Sequence, residues 1–209
     1  QAGTPRLKVS DDWADGTYTL HLEQVNPATP GQAQKDPKVI PVAVGLLNPN
    51  GDEVVPTTVL ELTEGRQSFR FEGLAAKPVP SILRGFSAPV VLERAASAEE
   101  RAFLLAHDTD PFNKWEAGRA LAKDMLGRMV TGGAAAGPDW LEALAQVAFD
   151  DSLDPAFRAL ALRLPSDDDM AQTLQGAGVV PDPDAIWAAR RRAGEALARR
   201  LAPGLPGLM

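Results

Sequence analysis

From Thr17 to Val25 the chain alternates as a half-buried strand does. Tyr18, Leu20 and Leu22 fall on one face, and Thr17, Thr19, His21 and Glu23 on the other. The alternation then stops in "NPATPGQAQKDP", where Pro27, Pro30 and Pro37 surround Gly31. It restarts at once: Ile40, Val42, Val44 and Leu46 repeat the pattern, and Ala43, Gly45 and Leu47 make the other face nearly apolar. A strand greasy on both faces belongs in the centre of a sheet. "NPNG" at 48–51 follows as a turn signal. The same reading predicts strands at 4–10, 57–63, 66–72, 81–86 and 89–94, with Pro78, Pro80 and Pro89 confined to edges or strand ends. It places Trp13 in a turn, "SDDWADG". About seven short strands separated by turns predict a β-sandwich of immunoglobulin-like size, without the Cys–Trp–Cys core of a true immunoglobulin domain.

From Ser97 the period changes to about 3.6 residues. Ser97 and Glu100 form a capping-box pattern, and Asp110 with Pro111 opens a second helix. Phe112, Trp115, Ala122, Met125 and Met129 form its apolar stripe, broken by "TGGAAAGP" at 131–138. Trp140, Leu144 and Val147 mark a third helix; Phe157, Leu160, Ala161 and Leu164 a fourth. Ser166 with Asp167, Asp168 and Asp169 opens a fifth, and the last runs from about Asp184 to Leu201. The predicted architecture is multi-domain, β then α: a sandwich over 1–96, then a helical bundle over 97–209 that begins an α-superhelix.

Composition narrows the functional classes. Among 209 residues there is no cysteine, so disulfides, iron–sulfur clusters and thiolate zinc sites are excluded. A reducing compartment is allowed, and the cytoplasm is the expected location. The net charge of -7 argues against general affinity for nucleic acid or anionic lipid. No apolar run reaches the roughly 20 residues of a membrane-spanning helix, so the chain is expected not to cross a membrane. The first residue is Gln1 rather than Met, the mark of a processed chain or a piece of a longer one.

Candidate chemistry is sparse. His21 and Glu23 match the first half of a zinc-deaminase signature, but the second half needs cysteines; alternation alone puts both on a polar strand face. His107 beside Asp108 reads as a residue favoured by a helix C-terminus, because no nucleophile elbow accompanies it. Asp167, Asp168 and Asp169 lack the spacing of a calcium loop and suit a helix N-terminus. Arg190, Arg191 and Arg192 fan across a helix: Arg191, Glu195 and Arg199 make an ion-pair row, while Arg190 falls near the apolar stripe of Ile186, Ala193 and Leu197. Trp115, Trp140 and Trp187 sit at helical spacing and read as core. No Walker loop or dinucleotide fingerprint occurs. The residues alone assign no catalytic, cofactor-binding or metal position.

Four stretches carry a resemblance: "TYTLHLEQVNPATPGQ", "VPSILRGFSAPVVLE", "FLLAHDTDPFNKWEAGRAL" and "DPAFRALALRLPS". Together, in this order, they resemble the bacterial aminopeptidase N family of zinc metallo-aminopeptidases, in the region after the catalytic domain. The resemblance implies a β-sandwich followed by the first helices of a C-terminal superhelix. It also implies a parent that uses zinc to release N-terminal residues from peptides. The family's H-E-x-x-H and G-x-M-E-N motifs have no counterpart here, since His21 is followed by Leu22 and His107 by Asp108. This segment is therefore expected to hold no zinc and to act as a spacer and part of the wall around the active site. Its expected partners are the catalytic domain and the remaining helices of that parent. A truncated superhelix is further expected to expose Ile186, Trp187 and Leu197 and to self-associate there. The alternatives are a free-standing interaction module and a hydrolase whose site escapes sequence reading.

Overall fold

The computed structural model describes residues 3–204. Two sheets come first. Strand β1 (Arg6–Ala14) pairs antiparallel with β2 (Thr17–Val25), which pairs with β5 (Arg66–Phe71); β7 (Val91–Glu93) joins β1 in parallel, giving the order β5-β2-β1-β7. The second sheet holds β4 (Glu53–Leu62), β3 (Ile40–Leu47) and β6 (Val79–Ile82), in the order β4-β3-β6. As expected for a strand apolar on both faces, β3 is central and all of it but Pro41 is buried. Leu7, Tyr18, Leu20 and Leu22 from one sheet share a core with Val42, Val44, Leu46 and Leu62 from the other. Two sheets closing over one apolar layer make a sandwich.

The proline-rich stretch after β2 is the crossing from one sheet to the other. Thr29 and Gln32 exchange backbone hydrogen bonds of 3.1 and 2.8 Å around Pro30 and Gly31, with Gly31 at φ +79°. Proline then glycine is what a type II turn requires. Gln24, at the end of β2, anchors the crossing: its amide donates to the carbonyls of Lys38 (2.8 Å) and Glu64 (2.9 Å) and accepts from the Lys38 amide (2.7 Å).

Several strand limits differ from expectation: β4 begins at Glu53 rather than 57, β6 at Val79 rather than 81, and β7 is confined to Val91–Glu93, and two further differences change the reading. β1 continues through Trp13 to Ala14, so Trp13 lies on the strand, packed against the core, and the turn is the two-residue Asp15–Gly16 hairpin. Both turn residues have positive φ (47° and 74°), the geometry of a type I′ turn. The strand expected at 81–86 stops at Ile82, because Leu83 takes a left-handed conformation (φ 61°, ψ 37°) and a short 3-10 turn follows at Arg84–Phe86.

The helices are α1 (Ala98–His107), α2 (Pro111–Gly132), α3 (Pro138–Phe149), α4 (Pro155–Ala161), α5 (Asp167–Gly176) and α6 (Pro183–Leu201). Leu105, Met125, Leu126, Trp140, Leu144, Met170, Ile186 and Ala193 form their core. The fourth stripe is weaker than its spacing implied. α4 ends at Ala161, buries none of its residues fully, and leaves Leu164 in the loop beyond. By contacts the chain divides into two units: residues up to Ser97 with His107–Asn113, and Ala98–Ala106 with the chain from Lys114 onward. No described helix is long and apolar enough to cross a membrane.

Candidate functional site

On the outer face of the first sheet, register brings three polar residues into a row. His21 on β2 stands opposite Ser10 on β1 and Ser68 on β5. Its Nε2 lies 2.9 Å from Asp12 Oδ2 and its Nδ1 2.7 Å from Ser68 Oγ. Neither partner was foreseen from sequence: Asp12 meets His21 only through the register of the β1–β2 hairpin, and Ser68 comes from β5, 47 residues along the chain. The row has the composition of a serine-hydrolase triad but not its setting. A triad's carboxylate is buried, and Asp12 is 82% exposed, so water screens the charge that would orient and support the imidazole. Glu23 is engaged separately, accepting two N–H bonds from Arg66 at 2.8 and 3.0 Å. The face is a set of cross-strand polar pairs, as the alternation predicted.

The sheet unit's second polar site is buried, and sequence reading missed it. Arg84 is 4% exposed. Its Nε donates to Ser81 Oγ (2.9 Å), one terminal nitrogen donates to Glu53 and to Thr57 Oγ1 (2.9 Å), and the other donates to Asp108 Oδ1 (3.2 Å). Gly45 on β3 makes the space: a Cβ there would collide with the guanidinium carbon. The signal was present, since Gly45 is a gap in an otherwise apolar central strand. Asp108 also accepts the Asp110 amide at 2.9 Å, and Asp110 accepts the amides of Gly85 (2.9 Å) and Asn113 (2.8 Å). Asn113 donates to Ser81 Oγ (2.8 Å) and the Ile82 carbonyl (2.9 Å). These bonds hold Leu83 and Phe86 at positive φ, conformations that cost about 1–3 kcal/mol each. Burial is the largest influence on Asp108 and raises its carboxyl above the usual range, against the Asp110 amide and the Arg84 charge. His107 ends α1, as expected, with its ring against Gly51.

In the helical unit the acidic triplet divides its work. Ser166 and Asp169 close a reciprocal capping box on α5. Asp169 also accepts from Arg119 at 2.6 Å, and Asp167 from Arg190 at 2.5 Å. The Ser166 amide is the largest influence on Asp169 and lowers its pKa. Arg191 pairs with Glu195 (2.9 Å) as its spacing predicted, and Arg192 donates to the Met129 carbonyl (3.3 Å). Trp140 is core, but Trp115 is half-buried beneath Arg119 and Trp187 is 57% exposed beside Arg191. Ile186 and Leu197 are buried in the unit's own core. Of the three side chains expected to be bared at the last helix, Trp187 alone is exposed. Trp115, Trp140, Arg119, Arg163, Asp169 and Arg190 line a cavity of about 620 Å³.

Zinc sites need at least three side-chain ligands in catalytic centres and four in structural ones. Among the described residues no group of three or more His, Asp or Glu stands close enough to hold a metal. His21, with one carboxylate and one hydroxyl, does not fit a zinc ion.

A sandwich leading into stacked helices is the class this fold defines. Residues 3–95 match the family described as domain of unknown function (DUF3458), Ig-like fold, and residues 98–209 match DUF3458_C, ARM repeats. The chain belongs to these paired families, and its resemblance to the aminopeptidase N family is borne out by relatives. It is 36% identical over 220 residues to Aminopeptidase N of Escherichia coli (strain K12), covering 98% of this chain and 24% of that protein. It is 40% identical over 198 residues to Aminopeptidase N of Caulobacter vibrioides, covering 91% and 22%. The crystal structure of Legionella pneumophila aminopeptidase A in complex with aspartic acid is similar at a TM-score of 0.80 and 27% identity, over 97% of this chain and 23% of that one. The chain thus spans about a quarter of the length of the relatives it matches.

Proposed function

We propose that this chain is the non-catalytic sandwich and partial helical region of a cytoplasmic zinc aminopeptidase, a parent that releases N-terminal amino acids from peptides. Residues 1–96 are the sandwich domain and act as a spacer. Residues 97–209 are the helical domain and form part of the wall around the active site. One observation carries this reading: 98% and 91% of this chain align, at 36% and 40% identity, with about a quarter of two Aminopeptidase N chains.

The test has two arms. The purified chain is assayed on amino-acid anilides and its zinc content measured; neither turnover nor stoichiometric zinc is expected. A parent enzyme carrying this region is then compared with one in which the helical part is deleted, using substrates of increasing length. Loss of discrimination against long peptides supports a wall. Zinc-dependent cleavage by the chain alone overturns the reading.

A further inference from the structure

We propose that the cavity in the helical unit binds a small carboxylate monoanion that carries an apolar group. Its volume, about 620 Å³, lies inside the range of roughly 300–1,000 Å³ typical of small-molecule sites. The walls divide by chemistry. Trp115, Leu144 and Leu160 give an apolar side, and Leu160 is 42% exposed, a large aliphatic group the fold itself leaves uncovered. Arg119, Arg163 and Arg190 bring three guanidinium groups to the same space, and Asp169 is the one carboxylate among the lining residues.

The charges do not cancel. Asp169 holds Arg119 and Asp167, outside the lining, holds Arg190. Three cations less two anions leave one positive charge, and it resides on Arg163, which has neither an ion pair nor a side-chain hydrogen bond among the described residues. Two further donors lack acceptors: Arg190 Nε and Trp140 Nε1 are both buried without a partner. Buried donors without acceptors are costly, so a ligand bringing acceptors is favoured. A single negative charge balances the surplus, and a planar carboxylate suits a guanidinium fork. A metal cation has the wrong sign, and a polyanion would overshoot and meet Asp169. This assignment rests on the chain's own residues and stands or falls independently of the parent's activity.

The carboxylate could belong to a free acid or to the C-terminus of a peptide, and the probes separate the two. The isotope-labelled chain is titrated with N-acetyl-leucine, N-acetyl-leucinamide and N-acetyl-Ala-Ala-Leu. Indole N–H resonances of Trp115 and Trp140 are followed, with calorimetry for Kd. Saturable binding of N-acetyl-leucine with a shifted Trp140 resonance is expected, and at least about tenfold weaker binding of the amide, the cost of a lost charged hydrogen bond. Comparable binding of the tripeptide supports a peptide C-terminus; its exclusion supports a free acid. Arg163→Gln should weaken binding about tenfold or more, with Arg163→Lys intermediate. Leu160→Glu, on the exposed apolar wall, should abolish it. No saturation up to about 10 mM, or equal binding of acid and amide, overturns the proposal. So does a folded Arg163→Gln variant that binds as well as the parent chain.

Discussion

Arg84 and Arg163 carry the same charge in opposite circumstances, and the contrast separates structure from site. Arg84 lies in the sandwich, over a glycine that gives it room, and each of its nitrogens has an oxygen acceptor within the fold. Four of its five N–H donors are taken up there, and its charge is matched by Glu53 and Asp108, so little is left to offer a ligand. Arg163 is exposed at a cavity, in the loop between α4 and α5, with its charge unspent and two unpartnered donors on other walls of the same space. Burial alone would rank Arg84 as the more conspicuous residue. Counting satisfied valences ranks Arg163 as the more available one.

The largest effect expected is at the closed cluster. Arg84→Met removes the cation but leaves Glu53 and the buried Asp108 facing each other. Breaking one partner of a buried ion pair costs about 3–5 kcal/mol, so urea unfolding should show a loss of that size. If closure is the point, adding Glu53→Gln and Asp108→Asn to Arg84→Met should recover most of it, because neutral groups no longer need the cation. A loss below about 1 kcal/mol, the size of an exposed pair, would erase the contrast with the helical unit. Gly45→Ala comes next: the new methyl meets the guanidinium against a central strand, and about 1–3 kcal/mol should be lost to overpacking.

Asp108 sharpens the comparison through pH. Burial raises its carboxyl pKa, so the folded chain binds that proton more tightly than the unfolded chain. The associated stability is full below the unfolded value, roughly pH 4, and is lost as pH rises through the folded pKa. Asp169 runs oppositely. Its pKa is lowered, so its contribution is present above roughly pH 4 and lost as pH falls through the folded value. Urea midpoints of Asp108→Asn against the parent chain, taken across pH 4–7, should shift in the variant's favour as pH rises. A shift the other way would mean that attraction to Arg84 outweighs burial.

The periodicities carried the architecture because most elements bury one face of their own. The central position of β3, the ion pair of Arg191 with Glu195 and the helix start at Ser166 are local patterns, and local patterns survive in a linear reading. What escaped depended on strand register or on contacts between distant segments. Asp12, His21 and Ser68 meet only through strand register, and Glu53, Arg84 and Asp108 only through a loop folded over β3. Trp187 shows the complementary failure. Helical spacing placed it with Ile186 and Leu197, yet a one-residue step along a helix is a 100° turn, enough to put it in water. Gly45 and the Asp15–Gly16 dipeptide were legible clues whose meaning depended on knowing what approached them.

The helical unit supplies the smaller effects. Ser166→Ala opens the capping box and should cost about 1 kcal/mol in thermal or urea unfolding, as N-cap losses do. Arg163→Gln should cost least, within about 0.5 kcal/mol, because an exposed, unpaired side chain stabilises nothing when it is removed. That near-silence carries weight when set beside the binding measurement. A residue held for the fold, as Arg84 is, cannot be lost without a stability cost, whatever it binds. A residue held for a ligand can be lost from the apo fold at no cost while binding collapses. If Arg163→Gln instead destabilises the chain by 2 kcal/mol or so, as a buried or networked charge would, its valences are engaged after all, and the two arginines differ in degree rather than in kind.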